Sequence, residues 1–286
     1  MPENERTFFT AGEITLMNFI EMLNNAWDSN NSLVCVGLDV DPEKFPSHIK
    51  NQGKNVFSFN KAIVNATSAL VCAYKPQIAY YSARGTEDQL KMTIDYIHEH
   101  APGIPVILDA KRGDIGNTSK MYAIEAFDRY GADAVTVNPF LGKDSLEPFL
   151  ERKDRGVILL CKTSNPSATD IQDFSCSGVK LYTHIARMAA ETWNYNNNIS
   201  LVVGATYPEE LAQIRTIIGD MPLLVPGIGA QGGDIESTVK AGRDSHGKGM
   251  MINSSRGIIY AGSDRDFDEK AKDATIELRD KINLYR

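Results

Sequence analysis

The stretch Pro105–Asn138, PVILDAKRGDIGNTSKMYAIEAFDRYGADAVTVN, decides the fold. Pro105–Lys111 and Asp133–Asn138 are short apolar and β-branched runs with little polar alternation, the mark of strands covered on both faces. Between them, Thr118–Tyr130 carries apolar residues at helical spacing. Two strands joined through a helix in so short a stretch form a crossover unit, whose strands run parallel.

Working outward, the same alternation fills the chain. Further strand-like runs lie at Ser32–Asp39, Val71–Lys75, Gly156–Thr163, Ser200–Thr206, Pro222–Pro226 and Gly249–Ser254, which makes eight in all. Glu87–His100, Lys180–Trp193 and Tyr207–Ile218 read as intervening helices, Glu13–Trp27 as a leading helix and Asp266–Leu284 as a closing one. Eight such units are the content of a (β/α)8 TIM barrel, an α/β fold of about 250 residues. No Pro/Gly/Ser linker or charge block divides the 286 residues, so 1–286 read as a single domain with a short N-terminal helical extension. The competing architecture is an open doubly wound sheet, and its GxGxxG fingerprint after the first strand is missing.

Composition narrows the function classes. Hydrophobic residues at 42% and charged residues at 23% are ordinary for a globular protein and exclude disorder, collagen and coiled coil. A formal charge of −7 argues against nucleic-acid and anionic-membrane partners, so an anionic substrate must be met by a local cluster of cations. No apolar run approaches the roughly 20 residues of a membrane span, and Met1–Glu5 has no basic, signal-peptide character. Cys35, Cys72, Cys161 and Cys176 show no CxxC spacing and read as free thiols of a reducing compartment. A cytoplasmic protein is expected.

In a barrel of this kind, catalytic groups sit at the C-terminal ends of strands. Read in order, those ends are Asp39, Lys75, Asp109 with Lys111, Asn138, Thr163 with Ser164, Thr206, Gly227–Gln231 and Arg256. The sharpest cluster is Asp109-Ala110-Lys111-Arg112-Gly113-Asp114. Residues i and i+2 of a strand share a face, which sends Asp109 and Lys111 together to the barrel mouth, with Asp114 following in the loop. Nearby carboxylates favour the ammonium form of Lys111. An ammonium is a poor Schiff-base nucleophile, but it can donate a proton and stabilise a developing carbanion.

The loop Val225–Asp234, VPGIGAQGGD, opens a helix, and strand eight ends Asn253-Ser254-Ser255-Arg256-Gly257. Glycine-exposed N–H groups, a helix N-terminus and a guanidinium fork after strands seven and eight are the parts of a phosphate site. A phosphorylated small molecule is therefore the expected substrate class. Ser164–Ser177 reads as a long loop, able to contact a substrate or close over it. His98 and His100 point to different helix faces and do not suggest a metal pair; His48, His184 and His246 stand alone.

DAKRGDIGNT (Asp109–Thr118), YKPQ (Tyr74–Gln77), VPGIGAQGGD (Val225–Asp234) and NSSRGI (Asn253–Ile258) together resemble the orotidine 5′-phosphate decarboxylase family, in the form of its second bacterial subfamily. The resemblance implies decarboxylation of orotidine 5′-monophosphate to UMP and CO2, with no cofactor and no metal, as the last step of UMP synthesis. It implies Lys111 as proton donor to C6, with Asp109 beside the leaving carboxylate. Asp114 and Thr118 would be offered to a neighbouring subunit's site, in a homodimer with shared active sites. Lys75 and Asp39 would meet the ribose hydroxyls and Ser164 the pyrimidine. Gln231 and Arg256 would hold the phosphate, with Gly232 and Ser255 alongside.

The energetics fit this assignment. An ammonium about 4 Å from developing charge is worth roughly 4 kcal/mol at an effective dielectric near 20, whereas enzymes lower barriers by about 8–23 kcal/mol. Remote phosphate and ribose contacts must supply much of the remainder. Two alternatives stay open. One is a sugar-phosphate aldolase or epimerase of the same superfamily, whose metal-using members place a carboxylate where this chain has Lys75. The other is a non-catalytic phosphate-binding barrel, which has no need of Asp109, Lys111 and Asp114 together.

Overall fold

Apolar runs without alternation must be covered on both faces, and the structure achieves this by closing the sheet on itself. The computed structural model describes residues 17–228 and 234–286. Its barrel strands are β1 Val34–Leu38, β2 Ala73–Pro76, β3 Ile107–Arg112, β4 Ala134–Val137, β5 Gly156–Lys162, β6 Ile199–Val203, β7 Leu223–Pro226 and β8 Met250–Ser254. All neighbours pair in parallel, in the spatial order β2-β1-β8-β7-β6-β5-β4-β3. Bridges from Tyr74 to Val106 and from Gln77 to Asp109 join β2 to β3 and complete the ring. Every residue of β1, β2, β4 and β6 is buried, as strands between a barrel interior and a helical shell must be.

The major crossover helices are Asn55–Thr67, Glu87–His100, Gly116–Ile124, Lys143–Leu150, Leu181–Met188, Pro208–Ile218 and Ile235–Gly242, with Phe267–Asn283 closing the chain. Glu87–His100 has the bounds expected from its spacing. The helix expected at Thr118–Tyr130 starts earlier, at Gly116, and widens into a π turn over Glu125–Arg129. A similar π turn, Ala189–Trp193, ends the helix expected at Lys180–Trp193.

The leading helix begins later than its apolar pattern suggests. It spans Phe19–Ser29, because Asn18 and Glu21 form a reciprocal capping box that fixes the first turn there. Glu13–Leu16, the first part of the expected helix, lies outside the described residues. Phe19 packs against Gly156 at the start of β5, where a Cβ would collide with its ring. The Trp27 indole N–H donates to the Met250 carbonyl at the start of β8 (2.9 Å). This helix therefore lies at the N-terminal ends of the strands and leaves the C-terminal mouth open for chemistry.

The segment after β5 is more structured than a plain loop. It contains a helical turn, Thr169–Gln172, and a small antiparallel hairpin, Ser175–Cys176 with Val179–Lys180. Fully buried Lys162 anchors it by an ion pair to Asp173 (2.9 Å), and Gln172 receives the Thr163 backbone N–H (2.8 Å).

Candidate active site

Asp109 is the centre of the mouth. The residue is only 6% exposed and Lys75 only 4%, a degree of burial that charged groups tolerate only when paired. Each oxygen of Asp109 has its own ammonium: Oδ2 accepts from Lys75 Nζ at 2.8 Å and Oδ1 from Lys111 Nζ at 2.6 Å. Burial on its own would raise the Asp109 pKa, but the two lysines outweigh it and hold the carboxyl well below the usual carboxylate range. Burial would likewise lower the Lys75 pKa; the Asp109 and Asp39 carboxylates reverse that and hold it above the ordinary lysine value. Lys111 differs from Lys75 in presenting a half-exposed side chain to the mouth.

Asp109 and Lys111 meet for a reason other than simple alternation. β3 departs from regular pairing with β4 between Leu108 and Arg112, and Lys111 adopts φ +47°. That left-handed conformation costs a non-glycine residue of order 1 kcal/mol or more and persists only where its surroundings enforce it. The bulge turns the Lys111 ammonium back onto Asp109.

The strand ends opposite supply polar groups with no partner. Among the described residues, buried Asp39 Oδ1, Thr206 Oγ1, Asn253 Oδ1 and Ser255 Oγ make no hydrogen bond. Buried polar atoms are nearly always satisfied, so a cluster of exceptions at one barrel end marks a place for a polar ligand. Asp39, Lys75, Asp109, Asn253, Ser255 and Arg256 share the wall of one cavity of about 390 Å³. Gly37 makes this possible, since a Cβ there would lie 2.8 Å from Ser255 Cβ and push β8 away.

The remaining expected site residues are spread around this centre. Arg256 is exposed at the start of a short helix, Arg256–Ile259, directly after β8. Ser164 follows β5 and packs against Gly204 beyond β6, where a Cβ would approach Ser164 Cβ to 2.9 Å. Among the described residues, Asp114 forms no hydrogen bond or ion pair with Asp109 or Lys111; its Oδ1 accepts from the Ile115 N–H (2.8 Å). Thr118 is exposed on the helix that follows. Gln231 and Gly232 lie outside the described residues, whereas Gly227 and Ile228 line the cavity. No group of three or more His, Cys, Asp or Glu residues suited to a metal ion occurs among the described residues.

One residue with a part in this geometry carried no sequence signal. Thr136, in the middle of β4, donates its hydroxyl to Asp109 Oδ1 at 2.9 Å. A threonine inside a buried strand is ordinary β-sheet chemistry, and only the three-dimensional pairing distinguishes it.

The comparisons with known proteins agree with this architecture. Residues 32–270 match the model of the orotidine 5′-phosphate decarboxylase / HUMPS family. A protein of Dechloromonas aromatica named orotidine 5′-phosphate decarboxylase is 61% identical over 270 residues, covering 94% of this chain and 100% of that protein. One of the same name from Azoarcus is 58% identical over 270 residues, again covering 94% of this chain and 100% of its own length. The solved structure of Leishmania donovani OMP decarboxylase superposes with a TM-score of 0.81 at 36% identity, covering 94% of this chain and 98% of that one. The Lys75–Asp109–Lys111 array therefore sits on a barrel that matches those proteins over 94% of this chain, and this chain belongs to the orotidine 5′-phosphate decarboxylase / HUMPS family.

Proposed function

We propose that this protein converts orotidine 5′-monophosphate to UMP and CO2, and that its Lys75–Asp109–Lys111 array carries the chemistry. The single observation behind this assignment is the double ion pairing of Asp109 at the open barrel mouth. In a sugar-phosphate aldolase or epimerase that uses a metal, a carboxylate is expected at the end of β2, and this chain places the ammonium of Lys75 there instead.

In the proposed step, the C6–carboxylate bond breaks, CO2 leaves, and its bonding electron pair stays on C6. Lys111 then transfers an ammonium proton to C6, giving UMP and a neutral amine that water reprotonates. Asp109 holds that ammonium in position beforehand, so little reorganisation is needed as charge develops. Its own negative charge beside the substrate carboxylate disfavours the ground state more than the transition state. Lys75 and Asp39 receive the ribose hydroxyls, Ser164 meets the pyrimidine, and Gln231, Gly232, Ser255 and Arg256 hold the phosphate.

Asp114 and Thr118 serve the active site of a second copy. They lie beside exposed Ile115 and Met121, and Phe140 and Leu141 after β4 are exposed as well. Large apolar side chains exposed at the surface are a common mark of an interface, which supports a homodimer with shared sites. The protein acts in the cytoplasm, a reading supported by its four free cysteines, three of them buried. No helix among the described residues is long and apolar enough to cross a membrane.

Loss of the orotate ultraviolet band on adding protein to orotidine 5′-monophosphate tests the activity. The expected result is loss that EDTA does not slow and that Lys111→Ala reduces by at least about a thousandfold, as removal of a proton donor and a fixed charge should. Binding of UMP with no change in the band would show a phosphate-binding barrel without decarboxylase activity.

A further inference from the structure

We infer that Thr136 is a positioning residue for the decarboxylation, acting through Asp109 and Lys111, which rests on the function proposed above. The case starts with the register. β3 pairs with β4 at Leu108–Val135 and next at Arg112–Val137, so Asp109, Ala110 and Lys111 all stand opposite Thr136. Such a bulge takes backbone groups out of the ladder, and a buried N–H left without a partner is costly. The Thr136 hydroxyl meets that need. Its Oγ1 accepts from the Ala110 N–H at 3.0 Å and from the Lys111 N–H at 2.9 Å.

A hydroxyl offers two acceptor positions and one proton. With both acceptor positions filled by N–H groups, the proton goes to the remaining neighbour, Asp109 Oδ1, at 2.9 Å. Every hydrogen-bonding capacity of the Thr136 hydroxyl is thus spent on the catalytic turn, and the residue is 1% exposed, away from competing water. The same hydroxyl holds the left-handed backbone of Lys111 and the carboxylate oxygen that receives the Lys111 ammonium at 2.6 Å. Backbone and head group of the proton donor are tied to one atom.

Valine in place of threonine keeps the shape and removes all three hydrogen bonds; serine keeps the hydroxyl and loses one methyl. Thr136→Val should lower kcat by about a hundredfold, the scale of a small misplacement at a reacting centre. KM for orotidine 5′-monophosphate and affinity for UMP should stay within about threefold, because the ribose and phosphate contacts are untouched. Thr136→Ser should recover kcat to within about tenfold of wild type. Amide hydrogen exchange across Ala110 and Lys111 should rise in Thr136→Val and stay low in Thr136→Ser. The inference is overturned if Thr136→Val keeps kcat within twofold of wild type, if Thr136→Ser falls as far as Thr136→Val, or if UMP affinity falls in step with kcat. If wild-type protein itself leaves the orotate band intact, the decarboxylase assignment fails instead, and the exchange measurement still decides whether Thr136 holds the turn.

Discussion

Asp109→Asn tests whether the charge array is a buried, mutually dependent unit. The variant keeps the size of the side chain and removes its charge, leaving Lys75 buried without its nearest anion. Removing one partner of a buried ion pair typically costs about 3–5 kcal/mol. Two structural features set the figure here. Lys75 keeps the nearby Asp39 carboxylate, which lowers the penalty, and the Lys111 side chain is 46% exposed, so its share is under about 1 kcal/mol. A loss of about 3 kcal/mol follows, measured by urea unfolding at pH 7 with the midpoint shifted and the slope unchanged. Adding 0.5 M NaCl should leave the difference nearly intact, because buried pairs are poorly screened.

The pH dependence has a definite sign. Asp109 is held below the ordinary carboxylate range, so its contribution is complete above that range and is lost as pH falls through the depressed value. Lys75 is held above the ordinary lysine value, so its contribution is complete below that value and is lost only as pH rises through the raised one. The gap between wild type and Asp109→Asn should therefore be flat from about pH 5 to about pH 8. Combining Asp109→Asn with Lys75→Met should cost at least about 1 kcal/mol less than the sum of the single changes. An Asp109→Asn penalty below about 1 kcal/mol, or additivity within about 0.5 kcal/mol, would refute the coupled array.

Two further outcomes concern the rim of the site. Arg256→Ala should raise KM by about 10- to 100-fold, the value of a charge-assisted hydrogen bond, with a smaller effect on a substrate analogue lacking the phosphate; equal losses on both would remove Arg256 from phosphate binding. If Asp114 serves the neighbouring subunit, mixing inactive Lys111→Ala with inactive Asp114→Ala should restore activity to about a quarter of wild type, since half the dimers carry one intact site. No recovery after subunit exchange would place Asp114 and Lys111 in the same subunit's site.

The barrel was legible in the sequence because parallel strands buried on both faces leave continuous apolar runs, and all eight such runs became strands. Asp39, Lys75, Asp109 and Arg256 were legible for a related reason. Asp39, Lys75 and Asp109 each end an apolar run that closes at the barrel mouth, Arg256 comes directly after the last strand, and the four share one cavity. Local hydrogen bonding was harder to read. The start of the leading helix is decided by the Asn18–Glu21 box and not by where the apolar pattern begins. The π turns after Ile124 and Met188 change the helical pitch without any proline or glycine to announce it. The β3 bulge is equally silent, because its left-handed position is a lysine where glycine is the usual signal.

That lysine also explains how the site can be stable before substrate arrives and still be ready for it. Both oxygens of Asp109 are already occupied, so among the described residues the cation at the centre most open to an incoming anion is half-exposed Lys111. The atoms without partners, on Asp39, Asn253 and Ser255, lie on the neighbouring wall beside Arg256. Under the proposed function, the ribose hydroxyls donate to the unpartnered oxygen of Asp39 and the phosphate accepts from the Ser255 hydroxyl and Arg256, so that binding relieves an existing deficit instead of breaking an ion pair. The substrate carboxylate must then enter against Asp109 while Thr136 and the bulge keep Lys111 from retreating. Binding energy gained at the wall is thereby set against repulsion at the centre, and the repulsion ends when CO2 leaves. Weakening the wall should accordingly reduce turnover as well as affinity, whereas loosening the turn at Thr136 should reduce turnover alone.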